Sequence, residues 1–370
     1  MTTPSSYNTW IIEHYLKDSL SGTELSLQNR PAPAATKGQL VIKTHLLSLD
    51  ASNLLWLSEK KDYLPQLQIG EPMRGNIIGE IIHSDHPSFG AGQFIAAMLH
   101  WADYHFVNGD ELLNAETTMR FTPHPEVPLD AYVGTLGITG WSAYIGLVNV
   151  GKLKAGERVL ISGAAGATGI MAVQLAKAAG AEVYAMAGGA EKCRYLQDTF
   201  QLAGTIDYKA TNNLRQGIAD AIPKGIEVFF DNVGGEILDA SLPNMCINGR
   251  ILASGSVSQY GKAEKYGVKN LPLVTTKRLR MEGFLILDHL QEVPEVLKTM
   301  ETWLLEGRLI NKNQSIQGLE NAQAALTKLI SGGNIGKLVV EVWGVRVCFS
   351  STELDEQKLQ PGETFSTLAE

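Results

Sequence analysis

Cysteine is scarce: the 370 residues hold three, Cys193, Cys246 and Cys348. An odd, widely spaced set implies no disulfide framework. The first 150 residues contain none at all, and their histidines, His14, His45, His83, His86, His100, His105 and His124, show no helical ligand pairing. Structural zinc needs about four closely spaced thiolate or imidazole ligands and catalytic zinc about three, so the pattern argues for chemistry without a Lewis-acid metal. A charge excess is also lacking. The net charge of -8 is mildly acidic and the only dense basic run is Lys277 to Arg280, which speaks against nucleic acid or an anionic membrane as partner. The N-terminal "MTTPSSYNTW" has neither a charged n-region nor an apolar h-region, so it is not read as a secretory signal, and a cytoplasmic location is expected. One uncharged stretch, Ala131 to Gly151, has the length of a membrane span. Its five glycines and scattered Thr, Ser and Asn predict instead a buried helix at a domain junction.

What is present divides into three. Tyr7 to Pro128 reads as strands and loops, with "GQLVIKTHLLSLD", "GNIIGEIIHSD" and "GQFIAAMLHWADYHFV" as β-branched or apolar runs between turn residues. From Leu129 to Met300 strands and helices alternate: "RVLISG", a helix from Ala167 to Ala179, "EVYAMA", a helix from Ala190 to Gln201, "GIEVFFDNV", a helix from Glu236 to Cys246, "GRILASG" and "RMEGFLIL". This order predicts an α/β fold with a doubly wound parallel sheet, and the continuous apolar strands fit burial on both faces. A helix, a polar connection and the strand "KLVVEV" follow. The expected domains are 1–128 plus 301–343, β-rich, and 129–300, nucleotide-binding. The segment 344–370 is polar, acidic and without period, and is expected to be disordered.

Residues 162 to 180, "SGAAGATGIMAVQLAKAAG", hold the chemistry. In the frame of a dinucleotide fingerprint, Ala164, Gly166 and Gly169 stand for the three glycines, with alanine first. The stretch follows a strand and opens a helix, whose free N–H groups and positive dipole end suit a pyrophosphate. Ala167 and Thr168 fall in that first turn. An NAD site would carry an acid at the end of the second strand. Here that end reads Ala187, Gly188, Gly189, followed by Glu191 and Lys192. A lysine at this place either pairs with a 2'-phosphate, favouring NADPH, or is an ordinary solvated helix lysine.

Over residues 7 to 343 the chain resembles the zinc-free double-bond reductases of the medium-chain dehydrogenase/reductase superfamily, the group of prostaglandin, alkenal and curcumin reductases. The resemblance rests on "EPMRGNIIGEI", "GTLGITGWSAYIGL", "SGAAGATG", "AGGAEKCRYL", "FFDNVGGEILDA", "GRILASGSVSQY", "KRLRMEGFLI" and "GKLVVEV" taken together. It implies a GroES-like β-rich catalytic domain joined to a Rossmann domain, and a homodimer. It implies Lys192 and Tyr208 at the 2'-phosphate, Gly188 and Ser256 among the cofactor contacts, Asn232 and Asn334 near the nicotinamide half, and Tyr260 in the active site as proton donor. The expected activity is NADPH-dependent reduction of an α,β-unsaturated aldehyde or ketone. A quinone reductase and an NADPH-binding protein without turnover remain the alternatives. The chain departs from the family in lacking its aspartate-proline-tyrosine run, where "LDASNLLWL" stands, and in having Ile138 where methionine is common.

Overall fold

The computed structural model describes residues 3–60 and 62–343. The expectation for 344–370 lies outside the described residues. A hairpin of β1 (Ser6–Ile12) and β2 (Leu25–Pro31) leads into a seven-stranded sheet. That sheet takes β3 (Gln39–Leu49), β4 (Arg74–Ser84), β5 (Phe94–His100), β6 (Tyr104–Asn108) and β7 (Met119–Phe121) from the first third of the chain. Helix α1 (Asn53–Trp56) follows β3 and α2 (Gly109–Asn114) follows β6. "GQFIAAMLHWADYHFV" is thus two strands. Trp101 to Asp103 separate them, so β5 pairs with β4 while β6 crosses to β3.

The stretch expected as one buried helix is buried but not uniform. A 3₁₀ turn covers Leu129–Tyr132, α3 runs over Ile138–Tyr144, and a π turn continues over Ile145–Val150. Ile138 to Gly151 packs among buried residues of the second sheet. Among the described residues no helix is long and apolar enough to cross a membrane.

The second sheet has six parallel strands: β8 (Arg158–Ile161), β9 (Glu182–Ala187), β10 (Gly204–Asp207), β11 (Ile226–Asp231), β12 (Met245–Ala253) and β13 (Arg280–Gly283). Their order is β10-β9-β8-β11-β12-β13, which is the doubly wound order 3-2-1-4-5-6 with its reversal between β8 and β11. Helices α4 (Ala167–Ala178), α5 (Ala190–Phe200), α6 (Leu214–Ala221), α7 (Gly235–Ser241) and α8 (Leu273–Thr276) connect them. Strand residues alternate between two cores. Val159, Ile161, Val228 and Phe230 face one, Leu160, Met186, Phe229 and Ile251 the other. Three elements here differ from the expectation. β10 and α6 have no strong apolar run and escape notice in the sequence. The helix expected to reach Cys246 ends at Ser241, where Pro243 in a 3₁₀ turn gives way to β12.

The last segment returns to the first sheet. α9 (Val293–Leu305) packs Val296, Met300 and Trp303 into the core of the parallel sheet, so the division expected at residue 301 falls inside this helix. The polar connection contains β14 (Asn313–Gln317) and α10 (Ala322–Ile330). β15 (Lys337–Glu341) then lies antiparallel to β3 and parallel to β14.

Candidate active site

The carboxyl ends of β8 and β11 meet at the point where the strand order reverses. After β8 the chain turns at Gly163, whose φ is +58°. Ala164 is fully buried and its N–H donates to Met186 O, 3.0 Å away, so the methyl that replaces a first glycine sits in the core and leaves the turn intact. Gly166 is the N-cap of α4 and offers no side chain to its first N–H groups. Ala167 and Thr168 form that first turn. A Cβ on Gly169 would lie 2.2 Å from Gly163 O and 2.7 Å from Ala164 Cα, so helix and turn approach closely only because the residue is glycine. The helix end is therefore bare, polar and positive, which fits a phosphate.

At the end of β9 a second feature forms. A Cβ on Gly188 would fall 2.6 Å from Tyr208 Oη and 2.9 Å from Lys209 Cε. The nearby carboxylate of Asp207 is turned to the main chain, accepting from Gly189 N at 2.8 Å and Lys209 N at 2.9 Å. The bond from Gly189 leads the causes that hold its pKa below the usual value. Burial, and then Lys209, push the pKa of Lys192 down. Neither lysine forms an ion pair among the described residues. Lys192, Lys209 and Tyr208 thus make a cationic corner where a 2'-phosphate fits and a ribose diol would find no acid. Lys209 was not singled out in the sequence, although "IDYK" contains it.

At the strand reversal, buried Asp231 organises the turn. Its Oδ1 accepts from Ser162 Oγ at 2.7 Å and from Val233 N and Gly234 N at 3.0 Å each. Burial raises its pKa against these bonds. Asn232 donates through its side-chain amide to Ser162 O, 2.7 Å, and Asn334 donates to Gly336 O, 2.7 Å. Both amide N–H groups shape turns.

Ser256 follows β12, and its N–H donates to Tyr260 Oη at 3.3 Å. Burial raises the Tyr260 pKa, the Ser256 N–H opposes this, and Asp62 adds to it. The loop that carries Tyr260 is tied to the N-terminal unit by Ala263 N donating to Asp18 Oδ1, 2.7 Å. A second phenol, missed in the sequence, is coupled to it electrostatically. Tyr63 has its pKa pushed up to about 12 by burial and then by Tyr260 and Asp62, with Ser52 Oγ bonding to its hydroxyl. Ser52 belongs to the run in which the family's tyrosine is lacking. Tyr63 is 43% exposed in a polar loop, and no local motif marks it.

A recess opens between the seven-stranded sheet and the start of α3, with Ser48, Asp50, Asn76, Thr139, Trp141 and Lys337 on its walls. None of the site residues named from sequence lines it. Asp50 connects it to Tyr63, on whose phenol its charge acts. Gly336 connects it to the glycine turn by donating to Ala165 O at 2.9 Å. Among the described residues no group of three or more His, Cys, Asp or Glu is placed to hold a metal ion.

Known proteins share this arrangement. A family model described as the N-terminal domain of oxidoreductase matches residues 8–115, and one described as zinc-binding dehydrogenase matches 167–302. The NADPH-dependent curcumin reductase of Escherichia coli is 34% identical over 83% of this chain and 89% of its own length. The chain belongs to the zinc-free reductases of the medium-chain dehydrogenase/reductase superfamily. Within that family, a 2-alkenal reductase (NADP(+)-dependent) of Nicotiana tabacum is 37% identical, over 76% of this chain and 80% of its own. CurA of Vibrio vulnificus, solved in complex with NADPH, superposes with a TM-score of 0.84 at 29% identity, covering 91% of this chain and all of that one.

Proposed function

We propose that the protein is an NADPH-dependent reductase of carbon–carbon double bonds conjugated to an aldehyde or ketone. The observation that carries this reading is the bare N-terminus of α4 at the strand reversal, with a cationic corner at the end of the neighbouring strand β9. The activities named for the relatives support it.

In this reading Gly166, Ala167, Thr168 and Gly169 receive the pyrophosphate, with Ala164 under the turn. Lys192, Tyr208 and Lys209 receive the 2'-phosphate beside Gly188. Asn232, Ser256 and Asn334 form the walls of the nicotinamide half. The cofactor, when bound, supplies a hydride to the β-carbon of the acceptor. Tyr260 keeps its proton on Oη at neutral pH, because burial raises its pKa, and delivers it to the α-carbon as general acid.

Two domains are proposed to face each other across a cleft, one built on the seven-stranded sheet and one on the parallel sheet, with the whole of α9 on the side of the parallel sheet. The proposed assembly is a homodimer joined through β13, an edge strand that exposes Met281. The two described cysteines are free thiols, which suits a cytoplasmic enzyme. The test is NADPH oxidation by a panel of enals, enones and quinones. Turnover with enals or enones supports the reading. Turnover with quinones alone would make the protein a quinone reductase, and tight NADPH binding without oxidation by any acceptor would make it a binding protein.

A further inference from the structure

Lys337 opens β15 and is 2% exposed. Its ammonium donates to Leu49 O at 3.0 Å and to Asp50 Oδ1 at 2.5 Å. Asp50 accepts from Ser48 Oγ on its other oxygen, at 2.5 Å. A lysine carries three N–H donors, and these contacts engage two. Burying an ammonium costs several kcal/mol, and apolar replacements of buried ion pairs are often neutral or stabilising. Stability alone is therefore a poor reason for this pair to stand here.

Its position gives a better one. Gly336, the preceding residue, is bridged to Gly166 of the glycine turn. The charge of Asp50 also acts on the phenol of Tyr63, as the smallest of several influences on it. The ammonium thus stands one residue from the bridge to the cofactor turn, on a wall that mixes Ile77, Ile78, Val133 and Ile138 with Ser48, Asp50, Asn76 and Thr139. In such surroundings a fixed charge acts far more strongly than in water.

We propose that Lys337 is a catalytic residue whose remaining N–H stabilises the negative charge that develops on the acceptor's carbonyl oxygen. The proposal rests on the reductase reading above. A C–H bond forms at the β-carbon with the hydride pair, and the π pair of the double bond moves toward the carbonyl, whose oxygen takes the charge. A proton from Tyr260 or water then completes the C–H bond at the α-carbon. The acceptor gains two electrons, NADPH loses two, and Lys337 keeps its proton throughout.

The experiment compares wild type, Lys337→Met and the double variant Asp50→Asn/Lys337→Met, with an enone as acceptor and NADPH deuterated at the transferred position as a second donor. Removing one such donor typically lowers kcat by about 100- to 1000-fold. Both variants should show that loss with a larger deuterium isotope effect and an NADPH Kd within about threefold of wild type. The double variant leaves no bare carboxylate, so it reports on the cation if the single variant fails to fold. Recovery of kcat in the double variant would show that Lys337 only neutralises Asp50 and would overturn the proposal. So would a loss confined to NADPH affinity. A wild-type protein that oxidises NADPH with no enal or enone would instead overturn the reductase reading, and this proposal with it.

Discussion

Lys192 and Lys209 are held as neighbours, neither in an ion pair among the described residues, and after burial it is the charge of Lys209 that lowers the pKa of Lys192. An arriving phosphate relieves that repulsion. A charge-assisted hydrogen bond contributes about 1.5–3 kcal/mol, so Lys192→Ala should weaken NADPH binding by about 10- to 100-fold. NADH binding should stay nearly unchanged. Titrating both cofactors against the variant checks this, and equal losses would show that Lys192 does not read the phosphate. Tyr260 is the other decisive side chain. If it is the acid, Tyr260→Phe should cut kcat by about 10²- to 10⁴-fold with NADPH affinity preserved. A loss of only a few-fold would assign the proton to water, and a loss mainly in affinity would make Tyr260 a cofactor contact. Steady-state kinetics with a parallel binding titration separates the three outcomes.

Among the elements, β13 is the most exposed part of the parallel sheet. All four of its residues are exposed, Met281 among them. β12 covers one side and leaves the other edge open among the described residues. An unpaired edge is a template for another strand. The proposed dimer should therefore dissociate in Met281→Lys, which sets like charges against each other across a two-fold contact. Sedimentation velocity should show a monomer with an unchanged melting curve. A dimer that persists would place the interface elsewhere.

At the scale of the whole molecule, stability should depend on pH through buried histidines. Burial, and to a lesser extent His100, depress the pKa of His105 to about 3. Burial lowers those of His45 and His100 as well. Above about pH 6.5 folded and unfolded chains both hold a neutral His105, so it makes no difference. As the pH falls from there toward 3 the unfolded chain takes a proton that the folded chain refuses. Stability is then lost at about 1.4 kcal/mol per pH unit for this one group. Asp103, Asp130 and Asp231 have raised pKa values, chiefly from burial. They act in the opposite sense as the pH falls through the carboxylate range. Denaturant titrations at pH 7.5, 6.5 and 5.5 should show the decline, and His105→Gln should flatten it. An equal slope in the variant would assign the decline to other groups.

By itself the sequence determined the alternation of strands and helices, the glycine turn that opens α4, and the missing acid after β9. These are local properties: side-chain periodicity, backbone freedom and the residue at one strand end. Membership of the family was legible in the same way, from short motifs read together. Tertiary structure alone decided the rest. Tyr63 is electrostatically coupled to Tyr260, and Lys337 meets Asp50, across separations of roughly 200 and 290 residues that no local pattern encodes. β10 and β14 are strands because their neighbours supply the hydrogen bonds, although their own residues show little periodicity. Asn232 and Asn334 are the counterexample at the site. Their motifs are legible in the sequence, yet the direction of each amide follows from the turn it closes, which only the folded main chain sets.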